Sequence, residues 1–440
     1  MDRDLHALDV ELTELLVAHR EAKAALDRRV PSTPGAPPID SPVLRSPLLH
    51  PETFHELSES DEPLARALVP WLEVLLDERW AWEDTKVLAT LRGTPQPTPH
   101  LDEPTPIRAM VRGMLAGQTP GLRRDHGAAL RATAIELSAR AASAVEARRE
   151  RARGARFGDV AQAPRDVVDR LATAVLERTD DLAGETMRRG WVEGMQATLG
   201  RAASEGWPAK LTWRWAGEVF GDAGWFDGLA PVLPAPPRPW GGSSFARALG
   251  EVGVALLVAC RPAALPRSMH RHPFGVRRHR GHGLFASIAT TATFGRRVLD
   301  LGRERAQAHA RAMCTAAAAT LRVDAMRVLV ASALIDGRQA AGDTYAEISE
   351  RLFGEPAPNA TLAVLPRLRP AGAAAFVGSV LAFADRRSWV ERHDVDWFRN
   401  PRAAAEIRDA FEKPLDLAPL AEDDVHEALC ALVDALEAPF

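Results

Sequence analysis

The residues of this chain best equipped for chemistry lie together, between Met269 and Leu284. The stretch reads Met-His-Arg-His-Pro-Phe-Gly-Val-Arg-Arg-His-Arg-Gly-His-Gly-Leu. His270 and His272 stand one residue apart, and His279 and His282 stand two apart. Arg271, Arg277, Arg278 and Arg280 interleave with them, and Arg267 precedes them. Guanidinium forks match the oxygen geometry of carboxylate and phosphate. An anion site built from Arg267, Arg271, Arg277, Arg278, Arg280, Gly281 and Gly283 is therefore the leading reading. The two glycines would let backbone N–H groups approach the anion, and a helix beginning near Leu284 would aim its N-terminus at the same place. The alternative is a metal or general-base site of a hydrolase, with His270, His272, His279 and His282 as ligands. Four interleaved arginines oppose a divalent cation, and the segment holds no Asp or Glu to offset them. A third reading docks the basic face onto the chain's own acidic C-terminal region, such as Glu422-Asp423-Asp424.

Charge distribution makes this segment distinctive. No Asp or Glu occurs between Glu251 and Asp300, while eight arginines do (Arg261, Arg267, Arg271, Arg277, Arg278, Arg280, Arg296 and Arg297). A stretch of that length would carry about six acids at the chain's average composition. From Val390 onward the balance reverses, with 13 acids against five bases. Only four of the 55 basic residues are lysines, and there is one tyrosine. That skew reads as a GC-rich genome, but codon bias cannot separate positive from negative charge along a chain.

Weaker constellations occur elsewhere in the chain. His426-Glu427-Ala428-Leu429-Cys430 places a His and a Cys one helical turn apart, with no third ligand nearby in sequence. His50 and His55 flank Pro51, and Asp394 and Asp396 sit between Arg392 and Arg399. Ion-paired turns and core packing account for these. The run Arg148, Arg149, Arg151, Arg153 and Arg156 suits a helix C-terminus. Gly281-x-Gly283-x-x-Ala286 lacks the apolar strand that a dinucleotide fingerprint requires before it. No phosphate-loop lysine, acyl-enzyme Ser-x-x-Lys or His-Glu-x-x-His motif is present. No cofactor is expected, and no catalytic residue is assigned.

The elements that must hold these residues are helices. Leu5, Leu8, Leu12, Leu15, His19, Ala22 and Leu26 form one seam of an N-terminal helix. Pro31, Pro34, Pro37, Pro38, Pro42, Pro47 and Pro51 predict an extended arm over 30–51. Ser60 is expected to cap a helix bearing Leu64, Leu68, Trp71, Leu72 and Leu75, kinked at Pro70. Further helices are expected over 126–151, from Pro164, over 244–260, 301–335 and 371–385, and then 401–411 and 422–438. Thr344 to Glu347 reads as a capping box, and Gly354 as a stop. Leu211 to Trp215 is the one strand-like pattern, and Thr212 capping a helix explains it equally well.

These readings combine into a mainly α chain of two helical domains with an N-terminal helix and proline-rich arm. The expected divisions are 1–29 (amphipathic helix), 30–51 (linker), 52–230 (helical domain), 231–243 (Pro/Gly linker) and 244–440 (helical domain). The last carries the basic segment 252–299 and the acidic C-terminal region. A net charge of −4 gives no global attraction to nucleic acid or an anionic membrane. Three scattered cysteines and an N-terminus without a signal pattern point to the cytoplasm. The longest strongly apolar run, Val252 to Cys260, is too short to span a bilayer. Function is expected to be that of an interaction or regulatory protein rather than an enzyme. A protein partner would be met through the N-terminal helix and arm, and an anionic ligand or nucleic acid through the basic segment.

Overall fold

The leucine seam forms the first helix, α1 (Leu5–Arg28), and buries Leu5, Leu12, Leu15, Leu16 and Leu26. The computed structural model describes residues 4–28, 39–154, 163–209, 212–232, 241–273, 275–357, 371–414 and 420–440. The side chains of 138–154 and of residues 213, 338 and 371 are excepted. Pro31 to Pro38, most of the expected 231–243 linker, and the arginine side chains of 148–156 lie outside the described residues. The fold is mainly α.

Two units interleave along the sequence. The first comprises Met1–Ala155 and Ala263–Pro273; the second comprises Arg156–Pro262, Phe274–Ala357 and Arg367–Phe440. Residues 231–243 fall inside the second unit, and the basic segment is divided at Pro273.

In the first unit, the arm does not stay extended where it is described. Two 3₁₀ turns, Pro42–Leu44 and Pro47–Leu49, bury Val43, Leu48 and Leu49. Proline disfavours helix interiors but fits the first helical position, where its missing N–H costs nothing. Pro51 and Pro63 use the same allowance to open α2 (Pro51–Ser58) and α3 (Pro63–Trp80). Glu62, not Ser60, precedes α3, and the helix runs on through Pro70. Leu64, Leu68, Trp71, Leu72 and Leu75 of α3 pack with the α1 seam and the two turns in one core. After α4 (Trp82–Gly93) comes an antiparallel hairpin, β1 (Pro95–Thr98) and β2 (Leu101–Pro106), with Pro95 opposite Pro106. Its prolines leave no alternating apolar pattern, which is why the sequence conceals it. They are tolerated because each strand of a two-stranded sheet has an edge. Helices α5 (Ile107–Ala116) and α6 (Pro120–Gly154) follow.

Within this unit Asp9 of α1 caps the single helical turn Arg267–His270. Its carboxylate accepts from the backbone N–H of Arg267 at 2.8 Å and of Ser268 at 2.9 Å. Trp71 Nε1 donates to the Arg271 carbonyl at 3.0 Å.

The second unit begins with α7 (Arg165–Arg178), α8 (Asp180–Met187), α9 (Trp191–Ala197) and α10 (Trp213–Phe220). Thr212 caps α10 by accepting from Trp215 N, so the strand-like pattern there is helical. Its centre is built by α11 (Gly242–Ala259), α12 (Val276–Ser287), the short α13 (Ala292–Arg297) and α14 (Arg303–Asp336). Helix α11 is long and apolar enough to cross a membrane by composition. Here Leu249, Val252, Leu256 and Leu257 pack it into the core with Phe285, Phe294 and Trp397. Helix α15 (Arg338–Phe353) starts before the expected capping box and ends at Gly354, whose φ of 74° suits glycine. The chain closes with α16 (Ala371–His393), α17 (Pro401–Glu412) and α18 (Glu422–Glu437).

Candidate anion-binding site

Helix α12 carries the second half of the basic segment and lies between α11 and α16. Glycines on both neighbours permit a close approach. A Cβ on Gly378 of α16 would stand 2.5 Å from His279 Cβ, and one on Gly250 of α11 would stand 2.6 Å from the His282 ring. A Cβ on Gly253 would meet the Gly281 carbonyl at 2.7 Å, and one on Gly283 would meet Ala382 Cβ at 2.7 Å. Gly283 therefore serves helix packing, whereas a Cβ on Gly281 would make only an ordinary contact with Phe411 Cζ at 3.6 Å. Both glycines sit in mid-helix, and α12 begins at Val276 rather than near Leu284. Neither offers its backbone to an anion.

Two of the expected arginines are engaged inside the unit. Arg280 forms a fork with Asp385 of α16, Nε to Oδ2 at 2.9 Å and Nη2 to Oδ1 at 2.5 Å. Burial lowers the Arg280 pKa, but hydrogen bonds and charge from Asp385, with Asp424 behind it, raise it overall. Asp385 precedes the acidic C-terminal region onto which the basic face is expected to dock, and Glu422 of that region pairs instead with Arg170 at 2.7 Å. Arg277 donates to the Lys413 and Ala410 carbonyls at 2.7 and 2.6 Å, closing the C-terminal end of α17. Such carbonyls lack partners inside their own helix.

Arg278 has no such anchor. It is exposed, as is Arg247 on α11, and neither has a hydrogen-bond or ion-pair partner among the described residues. Both press on the half-buried His282, whose pKa is lowered to about 4 by burial first and then by Arg247 and Arg278. His279 is lowered to about 4 by burial, Arg278 and His282. Both rings are therefore neutral at pH 7. Glu251 stands 4.0 Å from His282 Nε2. The first turn of α12 carries Arg277 and Arg278, whereas the positive end of the helix dipole favours acids there. An anion at this position would offset both charges. Arg247 escaped the sequence reading because it precedes the acid-free stretch, one helical turn before Glu251.

The other expected residues belong to the first unit. Arg267 places its guanidinium 5.8 Å from the Trp71 ring centroid. His270 is fully buried, and Arg271 and His272 are half-buried. The four histidines are thus divided, His270 and His272 in one unit and His279 and His282 in the other. Among the described residues no group of three or more His, Cys, Asp or Glu is placed to hold a metal ion. His426 and Cys430 approach to 3.8 Å on α18 without a third ligand. His50 precedes α2, and His55 lies 3.4 Å from Glu59. Asp394 forms a turn by accepting from Val395 N at 2.6 Å, and Arg392 pairs with Glu406 instead.

No family model, curated protein or solved structure matches this chain.

Proposed function

We propose that the protein is a helical interaction or regulatory protein whose basic helix face captures an anionic group. The observation that carries this reading is the contrast among the arginines of α11 and α12. Arg277 and Arg280 are spent on carbonyls and Asp385, whereas Arg247 and Arg278 are exposed, unpaired among the described residues, and converge electrostatically on one neutral imidazole. Exposed guanidinium groups around a neutral imidazole suit a carboxylate or phosphate group better than a metal cation. A chain of net charge −4 gives no long-range attraction to a nucleic-acid backbone, so recognition on this face rests on local contacts with carboxylate or phosphate groups. The face works by binding and not by catalysis.

A protein partner is also supported at α1. Its inner seam is taken up by its own unit, but Val10 and Val17, seven residues apart, are 58% and 46% exposed. Ala24 continues that outer line and is exposed too. All three cysteines are free thiols, in keeping with a reducing compartment such as the cytoplasm.

Fluorescence anisotropy with a glutamate-rich peptide, titrated at rising salt, tests the reading. Saturable binding that weakens with salt is expected. Absence of binding to that peptide and to its phosphoserine counterpart at low salt would overturn it.

A further inference from the structure

The first unit holds a second polar cluster, wholly separate in sequence from the basic segment. His19 of α1 is buried (4% exposed) in what the leucine seam presents as a core position. Its Nδ1 lies 2.6 Å from the Oγ of Ser41, itself 3% exposed and capping the turn Pro42–Leu44. Its Nε2 lies 3.6 Å from Oε2 of Glu78 on α3. Lys23, one helical turn after His19, grips both Glu78 oxygens at 2.7 and 2.8 Å. Glu78 is thus held in place.

Ser41 Oγ accepts from Val43 N at 3.3 Å and keeps a second lone pair and its own proton, so its contact with His19 Nδ1 runs in either direction according to the imidazole tautomer. In the tautomer protonated at Nε2, the serine donates to Nδ1, and the Nε2–H is on the side of the Glu78 carboxylate, 3.6 Å away, with no hydrogen-bond partner of its own among the described residues. A hydroxyl donating to an imidazole whose other nitrogen faces a carboxylate is the arrangement that activates serine nucleophiles. The ring is used the other way round from the common template, with Nδ1 toward the serine. A further group completes the set. Trp82 is fully buried, its ring centroid 5.7 Å from that of His19, and its Nε1–H has no acceptor among the described residues. A buried donor without an acceptor is costly unless something fills the place.

We infer that Ser41, His19 and Glu78 form a nucleophile–base–carboxylate relay able to transfer small acyl groups from an ester to water. In the first half, Ser41 Oγ bonds to the ester carbonyl carbon while its proton passes to His19 Nδ1. Negative charge builds on the carbonyl oxygen, and the N–H left without an acceptor beside the His19 ring is that of Trp82. Collapse breaks the bond to the leaving alkoxide, which takes the proton from Nδ1. In the second half, water attacks the acyl-serine and gives its proton to Nδ1. The carboxylic acid departs, and the proton returns to Ser41 Oγ. Glu78 and Lys23 act as positioning residues. The deep placement of Ser41 restricts the acyl group to a small one.

The full-length protein, treated with an alkyl fluorophosphonate and measured by intact-mass and peptide-mapping mass spectrometry, provides the test. One adduct, mapped to Ser41, is expected, together with turnover of p-nitrophenyl acetate. Ser41→Ala should abolish both while keeping the circular-dichroism spectrum. Glu78→Gln should lower the labelling rate at least tenfold and shift its pH profile. Because mapping is done on the unaltered chain, a variant that fails to fold does not blunt the test. No adduct, or an adduct at any residue other than Ser41, overturns the inference. The anion-binding proposal is unaffected by either result.

Discussion

Arg280 grips Asp385 through two hydrogen bonds at 2.9 and 2.5 Å, joining α12 to α16 within the second unit. This pair absorbs part of the basic segment's charge, and it separates the arginines engaged inside the fold from the exposed Arg247 and Arg278. Removing one partner leaves the other half-buried without its counter-charge. Asp385→Asn should lower stability by about 1.5–3 kcal/mol, the usual worth of hydrogen bonds to charged groups. Arg278→Ala should change it by about 0.5 kcal/mol or less, as for most surface positions. Urea denaturation of the two variants side by side measures the difference.

Acid should loosen the same helix. Burial holds His279 and His282 at pKa values near 4, against 6.5 for an unhindered imidazole. Between those values the unfolded chain binds protons that the folded chain refuses, so falling pH favours unfolding. The stability tied to these rings is complete above pH 6.5 and is lost as pH falls toward 4. Denaturation midpoints measured from pH 7 to pH 4.5 should fall more steeply for the native chain than for His282→Gln. Equal slopes would show that His282 is not protected from protonation.

Glycine packing gives a paired prediction of opposite signs. A methyl at Gly378 would lie 2.5 Å from His279 Cβ and 2.8 Å from the Val276 carbonyl. Gly378→Ala should therefore cost about 1–3 kcal/mol through overpacking. At Gly217 of α10, a methyl group would meet nothing within 4 Å. Gly217→Ala should stabilise by about 0.4–1 kcal/mol by restricting the unfolded chain. Thermal melts of the two single variants distinguish them.

Asp9 offers a local test in the first unit. It is the acceptor for two backbone N–H groups at the start of the turn Arg267–His270. Asp9→Ala should cost about 0.5–2 kcal/mol, the range for removal of a helix N-cap. Hydrogen exchange at the Ser268 amide should accelerate in that variant.

Much of this architecture is legible in the residues, because helices announce themselves by periodicity. The α1 seam, α3 and the stop at Gly354 follow from leucine spacing and glycine chemistry alone. What the sequence hides is pairing between distant residues. Nothing near Arg280 predicts Asp385, and nothing near Arg277 predicts the end of α17. His19 reads as one more seam position, because its partners Ser41 and Glu78 lie far along the chain, on other elements. The acid-free stretch is a true signal, yet it spans two structural roles. Carboxylates are missing from it partly because Asp9 and Asp385 supply them from elsewhere in the chain.

On the proposed reading, binding charge resides on Arg247 and Arg278 and folding charge on Arg277 and Arg280, across two adjacent helices. The most direct measurement is calorimetric titration of a glutamate-rich peptide into the native chain and into Arg247→Ala/Arg278→Ala, with thermal midpoints recorded on the same samples. At least a tenfold loss of affinity in the double variant, with an unchanged midpoint, is the predicted result. Undiminished affinity in that variant, or a loss of affinity accompanied by a large fall in the midpoint, would contradict it.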